Sequence, residues 1–178
     1  MPLYERVFFE RKVKFQYAPT SLLPLYGLQA MNVARSSWTG TLNGISALLI
    51  LVTALAAWAI LEHGLRAGRG PSAEAASRAD WVMRGVLVAA LTATFYPVAK
   101  AFTLGQLQAW INGLFAVLLW CWVKDRRTAA GALAGAICLL KPQFLVLLAW
   151  GLLRRQWHFA SAFAGVLLGG AGVSVWVV

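Results

Sequence analysis

The sequence predicts an all-α, polytopic transmembrane helix bundle, and three observations predict it. The 178 residues are 60% apolar and only 12% charged, with a mean hydropathy of +0.68; a soluble domain carries about 25% charged residues. The apolar residues gather in uncharged runs of 12 to 26 residues, and about 20 residues of helix cross a bilayer core. The 16 Lys and Arg, against six Asp and Glu, sit almost entirely between those runs. Backbone polar groups in lipid must be satisfied internally, and no ten-residue alternation suggests a barrel, so the runs are helices.

Phe15 to Ala34 is broken by Pro19, Pro24 and Gly27 and reads as a short or kinked segment. Ser36 to Leu61, 26 residues, is the clearest span. Gly85 to Ala99 extends back toward Trp81 and ends at Pro97, and Ala101 to Val123 is a run of 23. Thr128 to Leu140 and Pro142 to Leu153 are 13 and 12 residues separated by Lys141; Gln156 to Val178 is a final 23.

Lys and Arg in short loops set orientation. Arg66, Arg69, Arg78 and Arg84 flank a Gly70-Pro71-Ser72 turn; Lys124, Arg126 and Arg127 form a second cluster, and Arg154 and Arg155 a third. If all three are cytoplasmic, Thr128 to Leu153 goes in and returns as a hairpin turning at Lys141-Pro142, because proline ends a helix and disfavours helical geometry before it. A single kinked span with one cluster outside is the other reading; the positive-inside bias favours the hairpin. The link from Tyr96 to Gln106, with Lys100, then lies outside at the depth of Lys141, and a site is expected there.

The charge of +10 lies in loops beside an anionic leaflet, not on a basic face with interleaved aromatics, so no nucleic-acid partner is expected. Cys121 and Cys138 lack CxxC spacing or a nearby His, and read as small core residues. No metal-ligand set, phosphate loop or Ser, His and Asp arrangement is discernible, so neither metal nor cofactor is expected. No cleavable signal peptide opens the chain, so membrane entry is expected through internal spans.

An ammonium in an apolar run is costly and faces a partner or an aqueous cavity, which makes Lys141 the leading candidate; a turn lysine snorkelling to an interface is the structural alternative. Gln106 and Gln108 follow Gly105 and can bond a polyhydroxylated ligand or another helix. Tyr17 and Tyr96, each shortly before a proline, can line a site or serve an aromatic belt. Trp38, Trp81, Trp120, Trp122, Trp150 and Trp157 stand near run ends as anchors. Gly131 with Gly135, and Gly165 with Gly169, have small-xxx-small spacing for helix packing. His158 reads as a surface imidazole. The six acids, Glu5, Glu10, Glu62, Glu74, Asp80 and Asp125, all fall in basic, loop-like surroundings, and none reads as embedded, which weakens a proton-coupled transporter.

Read in order, five fragments resemble a known family. They are Pro2-Leu3-Tyr4; Phe15-Gln16-Tyr17-Ala18-Pro19 with Leu22-Leu23-Pro24-Leu25; Tyr96-Pro97 with Leu104-Gly105-Gln106-Leu107-Gln108; Ala130-Gly131-Ala132 with Gly135 and Lys141-Pro142; and Leu152-Leu153-Arg154-Arg155-Gln156-Trp157. Together they are similar to the bacterial polyprenol-phosphate-mannose-dependent mannosyltransferases, glycosyltransferase family eighty-seven, of the C-type glycosyltransferase fold. Gln108 stands where the family's Gly-Gln-x-Asn element has Asn.

The resemblance implies inverting transfer of a hexose, usually mannose, from a polyprenyl-phosphate donor to a glycolipid or glycan acceptor on the outer face of the inner (plasma) membrane. Membrane lipids, donor and acceptor are the implied partners of a multi-pass hexosyltransferase. A carboxylate would deprotonate the acceptor while cations screen the departing phosphate. Lys141 is the implied phosphate contact and Lys100 a weaker one; Gln106 and Tyr17 would hold sugar hydroxyls or shape the cavity. The family's catalytic Asp precedes the tyrosine-proline signature, so it is expected upstream of this chain, which is expected to be one membrane-domain fragment. Residues 1–16 would be a remnant of the outer loop and 17–178 about five to seven membrane helices or half-helices. The family puts the loop before Tyr17 outside, whereas Arg6, Arg11, Lys12 and Lys14 pull it inward; both hold if 15–34 dips without crossing. A small non-catalytic membrane protein, a transporter piece or assembly subunit, is the alternative.

Overall fold

A computed structural model describes residues 19–68 and 77–177. The fold is all-α: among the described residues there are eight α-helices and no strand. They are α1 (Leu23–Ala30), α2 (Trp38–Gly68), α3 (Arg78–Thr94), α4 (Tyr96–Thr103), α5 (Gln108–Val123), α6 (Arg127–Leu140), α7 (Val146–Leu153) and α8 (Trp157–Val177). Residues 1–16, expected as an outer loop, and with them Glu5 and Glu10, lie outside the described residues, as do Tyr17, Arg69, Gly70, Pro71, Ser72 and Glu74.

Two helices, at 35–68 and 157–175, are long and apolar enough to cross a membrane, and α3 with α4 makes a third if that pair, bent by 53°, is one span. Leu48, Leu51 and Leu55 on α2 and Val86, Leu87 and Leu91 on α3 stay exposed, as a surface facing hydrocarbon does. Among the described residues 19–34, no helix is long enough to cross a membrane. After a 3-10 turn at Pro19–Leu22, α1 has only eight residues, a rise of about 12 Å. It ends where Asn32 takes a φ of 55°.

The helices alternate in direction around α6. Leu49 meets Gly113 and His63 meets Lys124, so α2 and α5 pack on each other in parallel, and α3, which packs on α2, is the returning helix between them in the chain. Gly131 abuts the carbonyl of Phe159 and Gly135 that of Phe163, so α6 and α8 also run parallel. The chain between them must therefore turn back, and the hairpin reading of 128–153 is the one observed. Lys141, extended at φ −136° and ψ 102°, ends α6, and Pro142 opens a 3-10 turn leading into α7. A proline-driven break in an apolar stretch is the cause.

The core is the seam of α5, α6 and α8. Ala130, Ala134, Ile137, Phe159 and Phe163 are buried within it. A Cβ on Gly135 would lie 2.7 Å from the Phe163 oxygen, a distance that only the missing side chain allows. The expected packing role of Gly165 and Gly169 is not seen, because a Cβ on either would meet nothing within 4 Å. Gly170 instead abuts Leu139. The small-xxx-small spacing is one-dimensional; which face of α8 turns inward is set by the partner helix.

Two further expectations are corrected. The run from Ala101 to Val123 is not one helix: α4 stops at Thr103, and α5 starts at Gln108. Gly105 at φ 61° lets the chain reverse, with Gln106 N–H donating to Ala101 O at 2.8 Å and Gly105 N–H to Phe102 O at 3.0 Å, a Schellman closure. The same closure recurs with Asp125 and Arg155 in the left-handed position, at 57° and 54°. Glu62, read as a loop acid, is instead inside α2, which runs seven residues past Leu61, and is 8% exposed. Arg84 Nε donates to its Oε1 at 2.5 Å. A partnered buried carboxylate is tolerated where a lone one is not.

These directions sort the charges. Arg66, Arg78, Arg84, Lys124, Arg126, Arg127, Arg154 and Arg155 lie toward one end of the bundle; Arg35, Lys100 and Lys141 lie toward the other. The basic end also gathers Trp81, Trp120, Trp122, Trp150 and Trp157.

Candidate functional site

At the end opposite the basic clusters, Lys141 Nζ donates to Gln108 Oε1 at 2.7 Å, and Gln108 Nε2 donates to Asn112 Oδ1 at 2.8 Å. Each position has a local cause. The helix-ending proline holds Lys141 at the apex of the α6–α7 hairpin, its N–H still bonded to Ile137 O at 2.9 Å. The Gly105 reversal makes Gln108 the first residue of α5, and Asn112 follows one turn later on the same face. An ammonium bonded to a neutral amide that is itself oriented by a second amide makes a fixed donor array. Three N–H groups on Lys141 suit a phosphate or a sugar hydroxyl.

The Pro19–Leu22 turn closes this end from another side. Thr20 Oγ1 donates to Leu139 O, two residues before Lys141. Ser21 is 5% exposed, and its Oγ has no hydrogen-bond partner among the described residues. Beyond α2, Trp110 Nε1 donates to Ser46 Oγ at 2.9 Å. No group of three or more His, Cys, Asp or Glu comes together among the described residues.

The residues expected at the site fall as follows. Lys141 stands in the polar array. Gln106 is on the α4–α5 turn at the same end, two residues from Gln108, with an exposed side chain. Lys100 is exposed in the last turn of α4 at that end. Tyr17 lies outside the described residues, immediately before those that lead into the Pro19–Leu22 turn. Tyr96, 72% exposed, is not part of the array. Asn112 was not foreseen; its four-residue spacing from Gln108 is the signal that finds it. Thr20 and Ser21 carried no signal, because their partner lies 119 residues away for Thr20.

No curated protein and no solved structure matches the chain. The family model of Glycosyltransferase family 87 matches residues 15–178, which takes in every element that builds this site and the bundle behind it. The chain is therefore a membrane protein that belongs to glycosyltransferase family 87.

Proposed function

We propose that the chain forms one membrane domain of an enzyme that transfers a hexose, specifically mannose, from a polyprenyl-phosphate donor to a glycolipid or glycan acceptor. Its setting is the inner (plasma) membrane, crossed several times, with the basic end in the cytoplasm and the Lys141 end outside. The segregation of cations supports that orientation, since arginine and lysine remain on the cytoplasmic side.

In this reading the acceptor hydroxyl oxygen attacks the anomeric carbon. The bond from that carbon to the phosphate oxygen breaks, the electron pair leaves with the polyprenyl phosphate, and the hydroxyl proton passes to a carboxylate base. The described acids, Glu62, Asp80 and Asp125, are all at the basic end, so the base comes from outside the described residues. Lys141 stabilises the charge that grows on the departing phosphate, where a fixed cation in a low-dielectric site acts most strongly. Gln108, and Gln106 beside it, hold sugar hydroxyls, and Lys100 adds a second cation at the rim. Tyr17 is assigned to the wall of the same cavity.

The observation that carries this reading is the Lys141–Gln108–Asn112 array at the end away from the basic clusters. The test is transfer of labelled mannose from polyprenyl-phosphate-mannose by the full-length protein in membrane vesicles. Lys141→Ala is expected to lower the rate about a hundredfold while leaving the protein folded. A wild-type rate in that variant would remove the phosphate role.

A further inference from the structure

We propose that the groove between α5 and α7 is a binding site for an anionic phospholipid, with an acyl chain lying in the groove and the headgroup phosphate held by Arg127 at its mouth. The site is at the opposite end of the bundle from Lys141 and does not depend on the transfer reaction.

The groove, about 330 Å³, runs along the parallel helices α5 and α7 with Phe159 of α8 as its floor. Phe115 and Val146 line its deep end, and Trp122 and Trp150, with ring centroids 5.1 Å apart, its mouth. Leu119 is 41% exposed, Val146 65% and Trp150 40%, so the groove opens sideways, toward where acyl chains lie. A lining of aliphatic and aromatic carbon has nothing to offer a polar occupant and suits methylene groups.

At the mouth the groove becomes cationic. The Arg127 guanidinium stacks 3.8 Å from the Trp122 ring centroid, and its Nε donates to Asp125 Oδ1 at 2.7 Å. Its Nη1 is buried with no hydrogen-bond partner among the described residues. A stacked guanidinium with an unused donor matches the geometry of a phosphate. Lys124 and Arg126 precede it in the chain and Arg154 and Arg155 lie toward the same end of the bundle, and basic pockets between helices on the cytoplasmic side attract anionic headgroups. An unsatisfied N–H, a surrounding positive field and a chain-shaped apolar trough meet at one tryptophan.

The test is lipid retention by the full-length protein in mild detergent, counted by native mass spectrometry during titration with phosphatidylglycerol or with phosphatidylcholine bearing the same chains. Phosphatidylglycerol is expected to be retained at concentrations at least tenfold lower, and Arg127→Gln to remove that preference. Leu119→Trp, which fills the exposed wall, is expected to weaken retention of both lipids. Glycerol phosphate, the headgroup without chains, is expected not to compete. Equal retention of the two lipids by the unaltered protein, an undiminished preference in Arg127→Gln, or competition by glycerol phosphate would overturn the proposal. If Arg127→Gln does not fold, Asp125→Asn supplies the decision. It removes the carboxylate charge that neutralises the Arg127 guanidinium while keeping an oxygen acceptor for Nε, so the preference for phosphatidylglycerol must rise, and a preference that stays level or falls overturns the site.

Discussion

The two ends of this bundle carry cations, yet they hold them in different ways. At the basic end the partners are mostly close in sequence: Lys124 lies over the Trp120 ring at 4.7 Å, and Arg127 reaches Asp125 two residues back. The exceptions there are Arg84, which reaches Glu62 on the neighbouring helix, and Lys124, which also meets His63. At the opposite end Lys141 reaches Gln108 across 33 residues, and Thr20 reaches Leu139 across 119. Those contacts exist only once the whole bundle is assembled. A polar array that depends on the complete fold, at the end with few charges, is a more selective feature than a belt of arginines, which is why the proposed chemistry is assigned to it.

The largest expected effect breaks the basic end without touching the other. Glu62→Gln leaves Arg84 facing a neutral amide and is expected to lower stability, read from unfolding in mixed micelles. Transfer per folded molecule should not change. Lys141→Ala is expected to do the reverse, with a hundredfold lower rate, about 2.7 kcal/mol of barrier, and an unmoved unfolding midpoint. A fall in stability without a fall in rate would make Lys141 a structural residue.

Smaller effects sharpen the contrast. Gln108→Ala is expected to slow transfer about tenfold by freeing Lys141 from its fixed position, roughly 1.4 kcal/mol. Gln106→Ala, with an exposed side chain, should raise KM more than it lowers kcat; equal effects of the two would deny Gln108 its special place. The smallest pair uses one backbone motif at both ends. Arg155→Gly relieves a left-handed arginine and is expected to raise stability by about 0.5–1 kcal/mol, whereas Gly105→Ala is expected to lower it by about 1 kcal/mol. Thermal midpoints in one detergent check both signs.

Much of this was legible in the chain. Uncharged runs located the helices, Pro97 marked the bend between α3 and α4, and Lys141-Pro142 marked the hairpin, since proline acts on its own neighbours whatever the fold. Run length misled twice. The apolar residues continue past Gly105, so the break before α5 was hidden in composition and lay only in one glycine's φ. Glu62 looked like the start of a loop because a carboxylate ends an uncharged run, although a half-buried arginine partner lets α2 continue through it. At the site, Lys141 stood out as a charge in an apolar stretch, while the choice between Gln106 and Gln108 rested on helix phase.

The sequence by itself determined that this chain is a helical membrane protein with its cations gathered between the apolar runs, because hydrocarbon and charge exclude each other at any packing arrangement. It also marked the lysine that such a medium tolerates only for a reason. Tertiary structure alone decided that α6 and α8 run parallel through facing glycines, that Glu62 finds Arg84, and that Gln108 rather than its exposed neighbour bonds to Lys141. Those outcomes depend on which faces of separate helices turn toward one another, and no local preference of the chain fixes that rotation.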